Sequence, residues 1–252
     1  MALKYKTKGL VFKKKDINES DRIFSVFTND FGRLDIYAKA IRKIISKLRN
    51  GIDIFFLSEI EFIQGKNKKT LTDAIKIKKF DNISQDLEKI KTANRIGEVL
   101  DNFIKGEEKD EGLFNLINET FIKLNSLKPK SQSSKLLYYY FLWNILSILG
   151  YHSEVGMCAS CHEKLTPYSV YFSGEEGGII CEKCSGGKKF AQKINSDIVK
   201  ILRIILVKDW QTLSVLKIDP SSQKLLEEVS AGYYSHILSG HSFKNTSSQI
   251  YY

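Results

Sequence analysis

The residues of this chain best suited to chemistry are its four cysteines, which stand in two CxxC pairs: Cys158 with Cys161, and Cys181 with Cys184. Thiolate sulfur is a preferred ligand of zinc, and two such pairs supply a closed tetrahedral shell of four ligands. A filled shell leaves no position for a reacting water molecule. The spacing therefore predicts one structural Zn²⁺ that stabilises a segment too small to have its own core.

Two catalytic interpretations of this segment compete with the structural one. The stretch CASCH, which begins at Cys158, spells the attachment motif of haem c, but that chemistry leaves the second pair unused. His152, Glu154 and the second pair resemble the H-x-E…P-C-x-x-C signature of zinc deaminases that act on nucleic acids. Ile180 replaces the proline of that signature, and the first pair would have no role. We therefore predict no catalytic residues and a protein that is not an enzyme.

The positive charge of the chain is concentrated in its first third. The whole chain carries a formal net charge of +10, and residues 1–80 contain 19 basic and 9 acidic residues. The remaining 172 residues contain 20 of each kind, so the entire excess lies before residue 81. A basic domain joined to a neutral one favours a surface for a polyanion, with nucleic acid the leading candidate. The alternative is a solvated, lysine-rich surface with no ligand.

The elements that must position these residues fall into two groups. Residues 1–80 contain about five β-rich runs separated by short turns, which is typical of a small barrel, and an OB-like barrel suits a basic chain. After residue 80 the apolar residues recur at helical spacing. The predicted fold is α+β: an N-terminal OB-fold β-barrel over 1–80, then an all-α helical bundle over 81–252. A four-cysteine zinc module over 151–190 is inserted in the bundle.

Two further features bear on location. The first residues, MALKYKTKGLVFKKK, lack the apolar region of a secretory signal, and the longest apolar run, 136–150, is shorter than the about 20 residues of a membrane span. We expect a cytoplasmic protein with no membrane partner. In that reducing compartment paired cysteines are more often metal ligands than disulfides.

The sequence as a whole resembles the RecO family of bacterial recombination mediators. The matching run is KGLVFKKKDINESDRIFSVFTNDFGRLDIYAKAIRK, with its Glu19–Arg22 box, Phe31-Gly32-Arg33 and Ala38-Lys39. The stretches LGYHSEVGMCASC and GGIICEKC are similar to those of the zinc-bearing members. The resemblance covers essentially the whole chain.

The resemblance implies an OB fold, a helical domain and an inserted zinc module, and therefore agrees with the architecture read from the residues. It implies binding to single- and double-stranded DNA and annealing of complementary strands. It also implies contact with single-stranded DNA-binding protein (SSB) and cooperation with RecR to load RecA onto DNA in the nucleoid. The alternative to a strand-annealing mediator is a zinc-stabilised module that binds nucleic acid without annealing activity.

Six basic residues are the candidates for DNA contact, since neutralising phosphates gives affinity that is independent of sequence. They are Arg33, Lys39, Arg42, Lys43, Lys47 and Arg49. Lys13, Lys14 and Lys15 either extend this track or are a solvated strand end. Phe31 and Tyr37 either stack on bases or belong to the barrel core. The segment after Lys39 departs from the family, which usually has glycine there; it is more apolar, with Ile44 and Ile45, and is predicted to be partly helical.

Overall fold

The computed structural model describes residues 3–129, 132–166, 169–188 and 190–247, with side chains up to residue 240. Residues 167, 168 and 189 of the cysteine segment lie outside the described residues. The strands are β1 (Lys4–Ile17), β2 (Asp21–Thr28), β3 (Gly32–Ala38), β4 (Phe56–Gln64), β5 (Lys69–Lys79), β6 (Val170–Ser173), β7 (Gly178–Cys181) and β8 (Gln192–Ile194). The helices are α1 (Asp81–Ser84), α2 (Leu87–Phe103), α3 (Glu111–Ser126), α4 (Ser133–Ile148), α5 (Glu182–Ser185), α6 (Ser196–Leu206), α7 (Trp210–Val215) and α8 (Pro220–Ser247).

The chain divides into two compact units, Met1–Phe141 and Leu142–Tyr252, with the division inside α4. The architecture is mixed α+β, with an N-terminal sheet followed by helices, and this part of the prediction is confirmed. No helix within the described ranges is long and apolar enough to cross a membrane.

The first five strands form a closed sheet in the order β1-β2-β3-β5-β4. Closure depends on the long strand β1, whose first half pairs antiparallel with β4 and whose second half pairs antiparallel with β2. The pairing shifts register between Val11 and Lys13, as at a β-bulge, and such irregularities bend a strand between two partners. A short parallel pairing of Ile36 and Tyr37 with Lys69 and Thr70 joins β3 to β5. The interior is filled by eleven buried apolar residues. They are Val11, Phe24, Val26, Leu34, Ile36, Ala38, Ile41, Ile52, Ile60, Phe62 and Leu71.

The outer face of part of this sheet is covered by helices of the same unit, so β1 is buried on both faces from Gly9 to Phe12. Helix α2 lies close against β1, and a Cβ atom on Gly97 would come within 2.9 Å of the Phe12 carbonyl oxygen. On α3, the Phe121 ring contacts the rings of Phe55 and Phe80. Helices α2 and α3 are N-capped by Asp86 and Asp110, whose carboxylates accept from backbone N–H groups of the first turn.

The second unit contains helices α6 to α8 and a three-stranded sheet of order β7-β6-β8. Its core includes Trp143, which stacks on Tyr233 and meets the Phe172 ring of β6 edge-on. The Trp143 indole N–H donates to Ser230 on α8 at 3.0 Å. The sheet was not predicted from the sequence. Through Phe172 it fixes the cysteine segment to the core of the unit.

Candidate nucleic-acid interface and metal centre

The connection between β3 and β4, residues 39–55, carries five of the six basic residues predicted to contact DNA. We call residues 39–52 the basic loop. Its ends are held by Ile41 and Ile52, each 2% exposed and part of the barrel core, and Leu48 packs against the same core. Within it the backbone forms turns and a short 3-10 helix, Lys47–Asn50. The loop is therefore anchored at both ends and in the middle.

The start of the basic loop is fixed by Asp21, a member of the Glu19–Arg22 box. The Asp21 carboxylate accepts from the backbone N–H of Ala40 at 2.7 Å and from the Tyr37 hydroxyl. These two hydrogen bonds hold the pKa of Asp21 below its ordinary value, the Ala40 N–H having the larger effect. Ala40 itself has a φ of +54°, in the left-handed region. The box thus explains a backbone conformation that alanine rarely adopts.

The basic side chains of the loop reach solvent. Those exposed are Lys39, Arg42, Lys43, Lys47 and Arg49. Arg42 lies 3.6 Å from the carboxylate of Asp16 and donates to the Asn18 carbonyl. Across the described part of the chain, the other four have no ion pair within 4 Å. Their charge is therefore open to a ligand.

A cleft of about 270 Å³ lies where the two ends of the basic loop meet the barrel. Its lining residues are Lys14, Arg22, Ile41, Arg42, Arg49, Ile52 and Asp53. Asp53 lies 2.7 Å from Lys14 and 3.9 Å from Arg22, and so offsets part of this charge. Sequence reasoning did not place Arg22 among the candidates. The β1–β2 register, in which Asp16 faces Arg22 and Lys14 faces Phe24, brings it to this end of the sheet.

Arg33 is the sixth predicted residue, and the structure does not bring it together with the other five. Its guanidinium donates to the Asp101 carboxylate at 2.7 Å and to the carbonyl oxygens of Asp101 and Ile104 at 3.2 and 2.7 Å. Only 12% of its side chain is exposed. Burial raises the pKa of Asp101, but the hydrogen bonds from Lys13 and Arg33 outweigh this and lower it. Arg33 and Lys13 therefore hold the end of α2 against the barrel.

The two aromatic candidates differ in their surroundings. Phe31 packs against Tyr5 and Phe62, with ring centroids 5.7 and 5.8 Å away, so it contributes to the barrel core. Tyr37 is half-buried, its hydroxyl bonds to Asp21, and the Lys68 ammonium lies 3.8 Å from its ring centroid. Both rings are engaged within the barrel unit.

The four cysteines form one cluster, in which all four Sγ atoms lie within 4.8 Å of one another. Cys158 and Cys161 are on a turn that is fixed to β7 by the Ala159 N–H, which donates to the Ile179 carbonyl at 2.8 Å. Cys181 ends β7 and Cys184 lies on α5. The backbone N–H groups of Cys161 and Cys181 point at the Cys158 sulfur, at 3.5 and 3.4 Å.

The thiols of the cluster have shifted pKa values, and the shifts of Cys158 and Cys184 go in opposite directions. Burial raises the pKa of Cys158, but the backbone N–H groups of Cys161 and Cys181 outweigh it and lower the pKa to about 6. The neighbouring sulfurs of Cys181 and Cys161 raise the pKa of Cys184 to about 12. A regular tetrahedron with metal–sulfur bonds of about 2.3 Å has sulfurs about 3.8 Å apart. The 3.9 Å between the Cys161 and Cys181 sulfurs fits that shell.

The residues of the deaminase alternative have other roles here. The Glu154 carboxylate accepts from the backbone N–H groups of Gly156 and Met157 at 2.6 and 3.2 Å, which closes the turn that leads to Cys158. These bonds hold the pKa of Glu154 below its ordinary value, with Gly156 contributing most. His152 pairs with the Ser147 hydroxyl at 2.9 Å. Among the described residues, the four cysteines are the group of potential metal ligands that lie close together, and His152 is not part of that group.

Comparison with known proteins agrees with these features. The family models described as Recombination protein O N terminal and Recombination protein O C terminal match residues 1–80 and 84–247. A protein of Dehalococcoides mccartyi (strain ATCC BAA-2266 / KCTC 15142 / 195) called DNA repair protein RecO is 32% identical, over 92% of this chain and 89% of its own length. One of the same name from Roseiflexus sp. (strain RS-1) is 26% identical, over 93% and 81%. The chain belongs to the Recombination protein O family of DNA repair proteins.

Proposed function

We propose that this protein is a non-enzymatic recombination mediator that binds DNA through the basic loop and anneals complementary single strands. The observation that carries the proposal is the cluster of exposed basic side chains on an anchored loop of a five-stranded barrel. In this reading the barrel is an OB fold and residues 1–80 are the DNA-binding domain. The helical domain is 81–252, and the two family matches, which meet near residue 80, support that division.

The proposed DNA contacts are those of the loop: Lys39, Arg42, Lys43, Lys47 and Arg49. Lys14 and Arg22 line the cleft beside them, but each is paired with a carboxylate, Lys14 with Asp53 and Arg22 with Asp16, so neither is counted as a contact. Arg33 is excluded because its guanidinium is used within the domain. Contacts of this kind read the phosphate backbone, so the affinity is independent of sequence and falls steeply with salt. Single- and double-stranded DNA are both ligands on this basis.

Annealing by such a surface requires no covalent step. Binding neutralises part of the backbone charge of each strand, which lowers the repulsion between two strands that approach each other. The strands then meet at a high local concentration on the protein, and base pairing supplies the driving force. The proposed partners rest on the family: SSB, which coats the strands, RecR, and through it RecA. DNA as the ligand places the action at the nucleoid in the cytoplasm.

For the cysteine cluster we propose one structural Zn²⁺ held by Cys158, Cys161, Cys181 and Cys184. Bound zinc would stabilise the thiolates that otherwise repel one another in so small a volume. The donor set is complete, so the proposed role is to hold the turn, β7 and α5 together. Because β6 is fixed to Trp143 and Tyr233 through Phe172, the ion would also support the core of the second unit.

The test is to measure annealing of complementary oligonucleotides in the presence and absence of the protein, with DNA and RNA strands of several sequences. Acceleration on DNA of every sequence supports the proposal. Binding without acceleration, or a preference for RNA or for one sequence, would favour the alternative, a zinc-stabilised binding module. Conversion of a base during the incubation, abolished by Glu154→Gln, would favour the deaminase.

A further inference from the structure

Two isoleucines form the tip of the basic loop. Ile44 is 92% exposed and Ile45 is 87% exposed, and both are more exposed than any other large apolar side chain among the described residues. They are the two central residues of a turn in which the Ser46 N–H donates to the Lys43 carbonyl at 3.0 Å. The most apolar part of the loop therefore points away from the core.

The fold gives no reason for isoleucine at these positions. The centre of a turn favours Gly, Pro, Asn, Asp and Ser, and β-branched residues are poorly suited to it. The apolar contacts that the loop makes with the barrel come from Ile41, Leu48 and Ile52. The two adjacent isoleucines form a small apolar patch on the loop, and exposed apolar patches mark interaction sites.

The turn is held in place rather than loosely attached. Before it, the Arg42 N–H donates to the Ser20 carbonyl at 3.0 Å and the Lys43 N–H to the Ala40 carbonyl at 3.1 Å. After it, the Gly51 N–H donates to the Leu48 carbonyl at 3.0 Å. With Asp21 fixing Ala40, the two isoleucines are presented at a defined place relative to the cleft.

Charge indicates what covers them. Lys43 and Lys47 flank the pair in the chain, and Arg42 and Arg49, at the two ends of the loop, line one cationic cleft. A ligand that meets both features presents anionic groups to the cleft and an apolar surface to the tip. A nucleic-acid strand does so, since its phosphates and base faces lie a few ångströms apart.

We propose that Ile44 and Ile45 form an apolar wedge that packs against, or between, the bases of the strand whose phosphates the basic loop holds. Apolar side chains used in this way unstack neighbouring bases without reading their sequence. The ligand class is therefore DNA with accessible bases: single strands and the junctions at which annealing begins. The inference rests on the proposed DNA binding at the same loop and adds to it a contact with the bases.

The test uses the full-length double variant Ile44→Ser/Ile45→Ser and an oligonucleotide that contains 2-aminopurine, whose fluorescence rises when its neighbours unstack. Affinity is measured at two salt concentrations. For the variant we expect affinity to fall about tenfold or more at both salts, because apolar burial is lost. The variant should keep the salt slope of the wild type, and its binding should no longer raise the 2-aminopurine fluorescence. The control is Ile75→Ser/Ile77→Ser, which changes two exposed isoleucines of β5 and should leave both readouts unchanged.

Several outcomes overturn the wedge. Wild-type affinity and fluorescence in the double variant would do so, while the salt-dependent binding, and with it the proposed function, would stand. A flatter salt slope in the double variant would show that the isoleucines act only by shaping the loop. Isoleucine-dependent binding to vesicles of phosphatidylcholine and phosphatidylglycerol, with DNA binding unchanged, would assign the tip to a lipid surface. A wild-type protein that binds no DNA would refute the proposed function as well.

Discussion

Replacing the three exposed lysines of the basic loop with glutamine should change the salt dependence of DNA binding by a calculable amount. Lys39, Lys43 and Lys47 suit this test because they have no ion pair among the described residues, whereas Arg42 is near Asp16. For a single strand, the slope of log affinity against log salt is about −0.7 per neutralised phosphate. Five contacts therefore give a slope of about −3.5, and the triple variant, with two contacts left, gives about −1.4.

The two slopes separate clearly over an accessible range of salt. Between about 50 mM and about 200 mM the wild type should lose affinity about 130-fold and the triple variant only about 7-fold. Fluorescence anisotropy of a labelled oligonucleotide, titrated at four salt concentrations, measures both slopes. The control is Lys109→Gln/Lys135→Gln/Lys217→Gln, which removes the same charge from exposed positions outside the loop.

The control variant should keep the wild-type slope, because long-range charge alone is screened at these salts. A triple variant with the wild-type slope would refute the assignment of the loop as the phosphate-binding surface. A loss of affinity that differs from one DNA sequence to another would refute the sequence-independent mechanism.

Three further predictions concern the supporting structure. Cys181→Ser should remove the bound zinc and lower the Tm, measured by metal analysis and calorimetry; a zinc-free variant with wild-type Tm would contradict the structural role. Arg33→Gln should destabilise the protein by about 1–3 kcal/mol in urea unfolding, because the Asp101 carboxylate and two carbonyl oxygens lose the hydrogen bonds that Arg33 donates, and should leave the DNA salt slope unchanged. A reduced salt slope of DNA binding in the Arg33→Gln variant would show that Arg33 does contact DNA. The pKa of Asp21 is lower in the folded state, so its contribution to stability is present above an unfolded pKa of about 3.9 and lost as pH falls through the folded value. The gap in unfolding free energy between wild type and Asp21→Asn should therefore be constant from neutral to mildly acidic pH and shrink only below about pH 4; a gap that closes near pH 6 would contradict it.

Features that depend on neighbouring residues could be predicted from the sequence. The strands of the first 80 residues follow from alternating apolar residues, and the cysteine cluster follows from two CxxC pairs. The exposed loop follows from a run rich in basic residues after Lys39. Each of these signals is local, so a single sequence contains it.

Features that depend on residues far apart in the chain could not be predicted from the sequence. From the sequence, Arg33 is predicted to bind DNA because nothing near it in the chain reveals its acceptors. These acceptors, at Asp101 and Ile104, are about 70 positions away in the chain. Arg22 joins the cleft only through the register of β1 with β2. The sheet of the cysteine segment was missed because its strands have three or four residues and no clear alternation. The sequence shows Ile44 and Ile45 as a departure from the family, but it does not show that their side chains are exposed.

The central claim is that the basic loop promotes the pairing of strands as recombination mediators do. The most direct measurement is the rate of annealing of complementary oligonucleotides coated with the cognate SSB, at about 50 mM and about 200 mM salt. The wild type should accelerate annealing strongly at the lower salt and weakly at the higher, and the Lys39→Gln/Lys43→Gln/Lys47→Gln variant should accelerate it little at either. Equal rates with and without the wild-type protein, despite ordinary DNA binding, would contradict the account.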